Sequence, residues 1–221
     1  MKGLMKKDIS LLLVNRKLYL MVLALALFYL AMGEAMEGIF VPYITYIMLM
    51  LGLNTIAYDD ADRGMAFLLT LPVSKTSYLR EKYAFCLLIS SAGWAVSSIL
   101  LIVIKTAGGN AWKQTITEFG ISLVVYLLLC MFLMFLLIPI QLKYGSENSR
   151  IALFGVVLVT VGVFMLIYKV SGIDVDGMDR WITSFIDRNA WMLAVAVVVL
   201  LALVGVISLR VSAGILEKKE Y

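Results

Sequence analysis

The side chains able to do chemistry are few, and the missing ones narrow the field most. The 221-residue chain has no His and two cysteines, Cys86 and Cys130. That rules out His-based catalysis and His metal ligation within the chain. Both cysteines fall inside apolar runs, where a thiol acts as a small buried hydrophobe, and they suggest neither a disulfide framework nor a zinc site. Gly108-Gly109-Asn110-Ala111-Trp112-Lys113 superficially suggests a phosphate loop but lacks the G-x-x-x-x-G-K-[ST] spacing, so the chain does not bind ATP by a P-loop. No run of Asp, Glu or Lys crosses the apolar segments as proton-coupled carriers require. Nor is there a cluster resembling a protease or metal site. Glu34 and Glu37 sit one turn apart and could attract a cationic substrate, yet two carboxylates at a membrane edge beside water need no such role. The chain is expected to hold no cofactor of its own, and uphill work would draw its energy from a partner.

The first half of the chain holds one long polar interval, Tyr58 to Lys82. Within it Met65, Leu68, Leu69 and Pro72 recur at helical spacing. A short amphipathic helix is therefore expected, ended by Pro72, which clashes with the preceding turn and pushes Leu71 to extended geometry. Ser74 can then cap a second helix running into the next apolar segment. A helix with an apolar stripe at a membrane surface needs something to bury against, and a soluble partner protein is the expected occupant.

Composition says what surrounds this interval. Hydrophobic residues make up 62% of the chain and charged ones 15%, with a mean hydropathy of +0.97. A soluble domain of this size could not hide that much apolar surface, so the solvent is lipid. We expect an all-α membrane protein in one domain, residues 1–221, with six spans near 18–36, 39–57, 83–104, 119–140, 151–168 and 190–209. Each is close to the ~20 residues that cross a ~30 Å hydrocarbon core. Gly33 to Gly38 is read as the tight turn between the first two spans. Residues 2–17 carry basic residues beside Leu4, Met5, Ile9, Leu12 and Leu13 on one half of a helical wheel, the pattern of a helix lying in the interface. A secretory signal is disfavoured, since no small-residue cleavage site follows the apolar run.

Charge orients the spans. With the N-terminus inside, segments 1–17, 58–82, 141–150 and 210–221 hold five, four, two and three of the 19 Lys and Arg, fourteen in all. The outer segments hold the other five, whereas the acidic residues divide eight inside and seven outside. Only the basic residues set topology, so both termini are expected in the cytoplasm. Trp112, Trp181 and Trp191 then fall at the outer face as interfacial anchors.

The outer segment before the last span carries Met178, Trp181, Ile182, Phe185 and Ile186 at i, i+3, i+4, i+7 and i+8, an amphipathic stripe. Asp174, Asp176 and Asp179 precede or open it, where carboxylates favour a helix N-terminus. It reads as a helix lying on the outer leaflet or as a lid over the outer end of a substrate path. Ser90, Gly93 and Ser97 share one face of the third span, beside Ser91 and Ser98. Gly155, Thr160 and Gly162 lie in the fifth. Small residues let helices approach closely in lipid, so helix packing is the expected use, with a polar lining for a path as the alternative.

The layout resembles the permease subunits of ABC-2-type exporters. Ala66 to Lys75, preceded by Tyr58-Asp59-Asp60 and followed by Glu81-Lys82-Tyr83, looks like the characteristic segment of the small bacterial branch that includes bacitracin-resistance and phenol-soluble-modulin exporter permeases. The opening Gly3-Leu4-Met5-Lys6-Lys7-Asp8 is similar to that branch's start. The resemblance implies that the helix between spans two and three docks on a separate cytoplasmic ABC ATPase, which carries ATP and Mg. Asp62, Arg63, Met65, Phe67, Leu68, Leu71 and Pro72 would make the contact. Residues 2–17 would be an elbow helix, and 174–186 would match the outer helices before the last span. Two permeases, identical or siblings, and two ATPases would form an exporter of amphipathic peptides, antibiotics or similar membrane-active compounds in a bacterial plasma membrane. The competing readings are a membrane-embedded sensor or recruitment protein without transport, and a secondary carrier. The near-absence of intramembrane charge argues against the latter.

Overall fold

In the computed structural model the described residues are 2–14, 24, 34–60, 74–107, 119–145 and 175–218. They form five helices. These are α1 (Lys2–Val14), α2 (Glu34–Asp60), α3 (Lys75–Ala107), α4 (Phe119–Gly145) and α5 (Val175–Lys218). Four carry apolar stretches long enough to span a bilayer, at Gly38–Asp60, Lys75–Thr106, Phe119–Gly145 and Val195–Lys218. Of the expected span at 18–36 only residues 24 and 34–36 are described, the latter as part of α2, while the span at 151–168 with its small residues, and Gly33, lie outside the described residues.

The helices outrun the apolar segments that predict them. α2 begins at Glu34, so Glu34 to Gly38, expected as a turn, form its first helical turn. Backbone groups without water must bond to one another, which favours continuing a helix over opening a loop. The same holds at the far end of the chain. The stripe Met178 to Ile186 was expected as an element apart from a span at 190–209, yet α5 runs unbroken for 44 residues. No proline interrupts it, and Asp187 and Arg188 read as a break only on hydropathy. At 1.5 Å per residue α5 is about 66 Å long, roughly twice the hydrocarbon thickness. Its most apolar part sits at the C-terminal end, Val195–Lys218. The side chains of Met178, Trp181, Ile182, Phe185 and Ile186 lie outside the described residues.

Packing centres on α2, the most enclosed of the four spanning helices, while α5 is the least. One core joins Leu49, Leu53 and Ile56 of α2 to Leu79 and Cys86 of α3, Met134, Leu137 and Ile138 of α4, and Leu216 of α5. A second gathers Phe40, Val41 and Ile44 of α2 with Leu101 of α3 and Phe119 of α4. Two glycines bring α2 and α3 close. A β-carbon on Gly52 would stand 3.1 Å from Cys86 Sγ and 3.3 Å from its Cα, and one on Gly93 would meet Met48 Cγ at 2.5 Å. The small-residue face of α3 thus serves helix packing. The hydroxyls of Ser90, Ser97 and Ser98 return to carbonyls of their own helix, at Cys86, Leu87 and Trp94. Both cysteines are free and buried, as their apolar setting predicts.

Candidate functional site

At the end of the bundle that carries α1, the segment 61–73 leaves α2 and returns into α3. Its return point is built as expected. Ser74 Oγ accepts the Ser77 amide at 3.2 Å, and the Tyr78 amide reaches the Ser74 carbonyl at 3.0 Å, so Ser74 caps α3. Lys75, Tyr78 and Lys82 follow at i, i+3 and i+7 and share a side of the first two turns of α3. On α2, Thr55 and Asp59 stand four apart, and Leu4 and Asp8 do the same on α1. All four are buried.

These faces meet in a buried ion cluster. Lys82 Nζ binds Asp8 Oδ2 of α1, Asp59 Oδ2 of α2 at 2.8 Å and Thr55 Oγ1 at 3.1 Å. Its three N–H donors are thereby used. Lys7 Nζ binds Asp59 Oδ1 and stands 3.5 Å from Asp8 Oδ1. Tyr78 donates its hydroxyl to Asp59 Oδ2 at 3.1 Å, and the Lys82 ammonium lies 5.5 Å from the Tyr78 ring centroid. Thr55 in turn donates to the Gly52 carbonyl at 2.8 Å. Two cations and two carboxylates balance. Asp8 and Lys82 are 0% and 1% exposed, so removing one partner would strand the other in a low-dielectric interior at a cost of about 3–5 kcal/mol. Glu81, 1% exposed, adds a third carboxylate whose oxygens have no hydrogen-bond partner.

The cluster lies just outside the spans expected at 39–57 and 83–104. Asp59, Glu81 and Lys82 belong to the polar interval Tyr58 to Lys82, and the helices long and apolar enough to span extend into that interval and bury all three. The side of α1 turned to the bundle carries Leu4 and Asp8, while Ile9, expected on the same apolar half as Leu4, is 48% exposed. An aspartate can face inward here because Lys82 and Lys7 neutralise it. Sequence did hold the signal. Lys7-Asp8, Asp59 and Glu81-Lys82 are charged residues of both signs flanking apolar runs, and each belongs to a stretch noted for its resemblance to exporter permeases.

A second polar tie leaves the next residue of α3. Tyr83 Oη pairs with Ser208 Oγ at 2.6 Å and Ser212 Oγ at 2.9 Å on α5, and Ser208 Oγ also donates to the Phe135 carbonyl of α4. Lys75 Nζ reaches the Leu216 carbonyl at 2.8 Å, near the C-terminal end of α5, and Gln141 Nε2 of α4 reaches the Leu53 carbonyl at 2.9 Å. Close by, Gly145 ends α4 at φ 73°, where a β-carbon would sit 3.3 Å from Asp60 Oδ2. The first turns of α3 therefore connect to every other described helix, through Lys82 to α1 and α2 and through Tyr83 to α4 and α5.

Asp62, Arg63, Met65, Phe67, Leu68, Leu71 and Pro72 lie outside the described residues. What the structure shows is their frame, with Asp59 and Lys82 on either side of the segment held in one buried cluster. Among the described residues no group of three His, Cys, Asp or Glu is placed to hold a metal. Lys82, Lys7, Asp8 and Asp59 are engaged with one another across three helices, and what the cluster can do is clamp them.

A multi-pass helical membrane protein whose helices are tied by a buried ion cluster at one end is the class that fold and site define. The model of the ABC-2 family transporter protein matches residues 3–217, and the chain belongs to that family. No curated protein and no solved structure matches it.

Proposed function

We propose that the chain is the permease subunit of an ATP-driven exporter, powered by a separate cytoplasmic ABC ATPase that docks on residues 61–73. In this reading two permeases, as a homodimer or sibling pair, work with two ATPases that carry ATP and Mg. The complex moves amphipathic peptides, antibiotics or similar membrane-active compounds out across a bacterial plasma membrane. Both termini face the cytoplasm, α1 is the elbow helix, and the start of α5 extends the last span on the outer side. Family membership supports the transporter class, and the excess of Lys and Arg on one side supports the orientation.

One observation carries the coupling assignment. The thirteen residues 61–73 spring from two helix ends tied into one buried cluster, Asp59 on α2 and Lys82 on α3, at 2.8 Å. A push on a segment with such roots is delivered to the bundle rather than absorbed at its hinges. The test is co-expression with the candidate ATPase, comparing wild type and Leu68→Asp for ATPase co-purification and membrane-bound ATP hydrolysis. A charge buried in an apolar contact without a partner is costly, so both are expected to fall in the variant. An ATPase that stays bound and active on correctly inserted Leu68→Asp would reject the docking segment. Recruitment without ATP-driven transport would instead show as binding that Leu68→Asp abolishes, with no hydrolysis in the wild-type complex.

A further inference from the structure

The ion cluster includes a member the docking segment does not need. Fixing the roots of 61–73 to each other takes only Lys82 with Asp59 and Thr55. Asp8 and Lys7 come from α1, and they use the same two charged partners, Asp8 on Lys82 and Lys7 on Asp59. Asp8 is fully buried at this junction, and Leu4, one turn before it, is 7% exposed. If α1 moved away alone, it would split a buried four-charge cluster: Asp8 would lose Lys82 and keep only Lys7 beside it, while Lys82 would lose one of its two carboxylates and keep Asp59. Moving with the ends of α2 and α3 costs it nothing electrostatically.

From this we propose that α1 is latched to the roots of the 61–73 segment and moves with them as one body during the ATP cycle, with Asp8 and Lys7 as its positioning residues. The latch gives the N-terminal helix a mechanical share in coupling, carrying the displacement of the docking segment along the membrane surface. It is not a second docking site. The proposal rests on the coupling reading for its driving force. The two fail separately, because docking is read from Leu68→Asp and the latch from the geometry of α1 against α3.

The test places spin labels at two exposed positions, Ser10→Cys on α1 and Arg80→Cys on α3, in the full chain bound to its ATPase, with Cys86 and Cys130 replaced by Ala. Pulsed-EPR distances are compared between the nucleotide-free and vanadate-trapped complexes. The expected result is one narrow distribution, shifted by less than about 2 Å between states, the scale of small helix adjustments. With Asp8→Asn the distribution should broaden and membrane-bound ATP hydrolysis fall about tenfold, within the range of intersite coupling. Asp8→Glu should restore the narrow distribution, which a general loss of packing would not allow. If Asp8→Asn fails to accumulate, Lys7→Gln loosens the same latch from a side chain that is 33% exposed. A wild-type shift greater than about 5 Å, a full helical turn, would show α1 moving on its own and overturn the proposal. So would a loosened variant as narrow and as active as wild type.

Discussion

Lys82 of α3 reaches Asp8 of α1 across 74 positions of sequence, and Asp59 of α2 lies 2.8 Å from the same ammonium. A lysine shared by two aspartates on two other helices fixes three elements at one point. In a family defined by transport, a rigid point beside the segment proposed to meet the ATPase can transmit force. The energetic consequence is a strong dependence among the charges. Lys82→Met leaves two buried carboxylates with only Lys7 beside them, and its cost is expected to be about 3–5 kcal/mol. Adding Asp8→Asn removes one of them. The double variant should therefore be more stable than the sum of the two single losses by more than about 1 kcal/mol, as contacting residues show. Thermal unfolding in detergent measures the cycle, and additive losses would show that the two side chains do not interact.

The approach of α2 to α3 depends on having no side chain at Gly93. Met48 Cγ would stand 2.5 Å from an added β-carbon and Met48 Cβ 2.9 Å from it. The first of these atoms can swing aside, but the second is fixed by the backbone. Gly93→Ala is expected to destabilise by about 1–3 kcal/mol, the usual cost of overpacking. Met48→Ala in the same chain should recover part of that loss by removing Cγ, with the remainder coming from the helix separation. Full recovery would mean that the two backbones are not in close contact.

Tyr83 joins α3 to α5 through its hydroxyl, while its ring packs against Phe135 with centroids 6.2 Å apart. Tyr83→Phe keeps the ring and deletes only the polar tie. Ser208 retains its bond to the Phe135 carbonyl, so the expected loss is about 1 kcal/mol, that of an ordinary hydrogen bond. Ser212→Ala added to Tyr83→Phe should cost little more, since its partner has already gone. Thermal midpoints of the three proteins check this, and a full second loss would show that Ser212 has another essential partner.

Much of this architecture is legible in the sequence because lipid makes apolar length and helix nearly synonymous. The apolar runs of α2, α3 and α4, the packing face through Ser90 and Gly93, and the buried thiols all follow from residue type alone. Helix ends are harder to read. Hydropathy marks where a helix leaves hydrocarbon, not where its hydrogen bonding stops. α2 therefore takes in Glu34 to Gly38, expected as a turn, and α5 absorbs a stripe that hydropathy separates from it. The ion cluster escaped for a related reason. Asp8, Asp59 and Lys82 each look like solvated charges at the margin of an apolar run, and only the folded chain shows that they neutralise one another. No residue-spacing rule links positions that far apart.

Ser74 is one helix end where sequence and structure agree, and it stands where the proposed docking segment gives way to α3. Its hydroxyl oxygen accepts the Ser77 amide at 3.2 Å, satisfying one of the free donors of the first turn, and its own proton goes to Ser77 Oγ at 2.8 Å. Ser74→Ala removes the acceptor and should cost about 1 kcal/mol, whereas Ser74→Asp keeps an acceptor and adds a charge favoured at a helix N-terminus. Stability should therefore follow Asp at or above Ser, with Ala below both. The local effect is sharper than the global one, because Lys75 and Tyr78 in the first turn carry contacts to Leu216 and Asp59. Hydrogen exchange at the amides of residues 76–79 should rise in Ser74→Ala and stay near wild type in Ser74→Asp. If exchange there is unchanged in the alanine variant, tertiary contacts rather than the cap hold the start of α3. The ion cluster would then be the element that fixes where the segment ends.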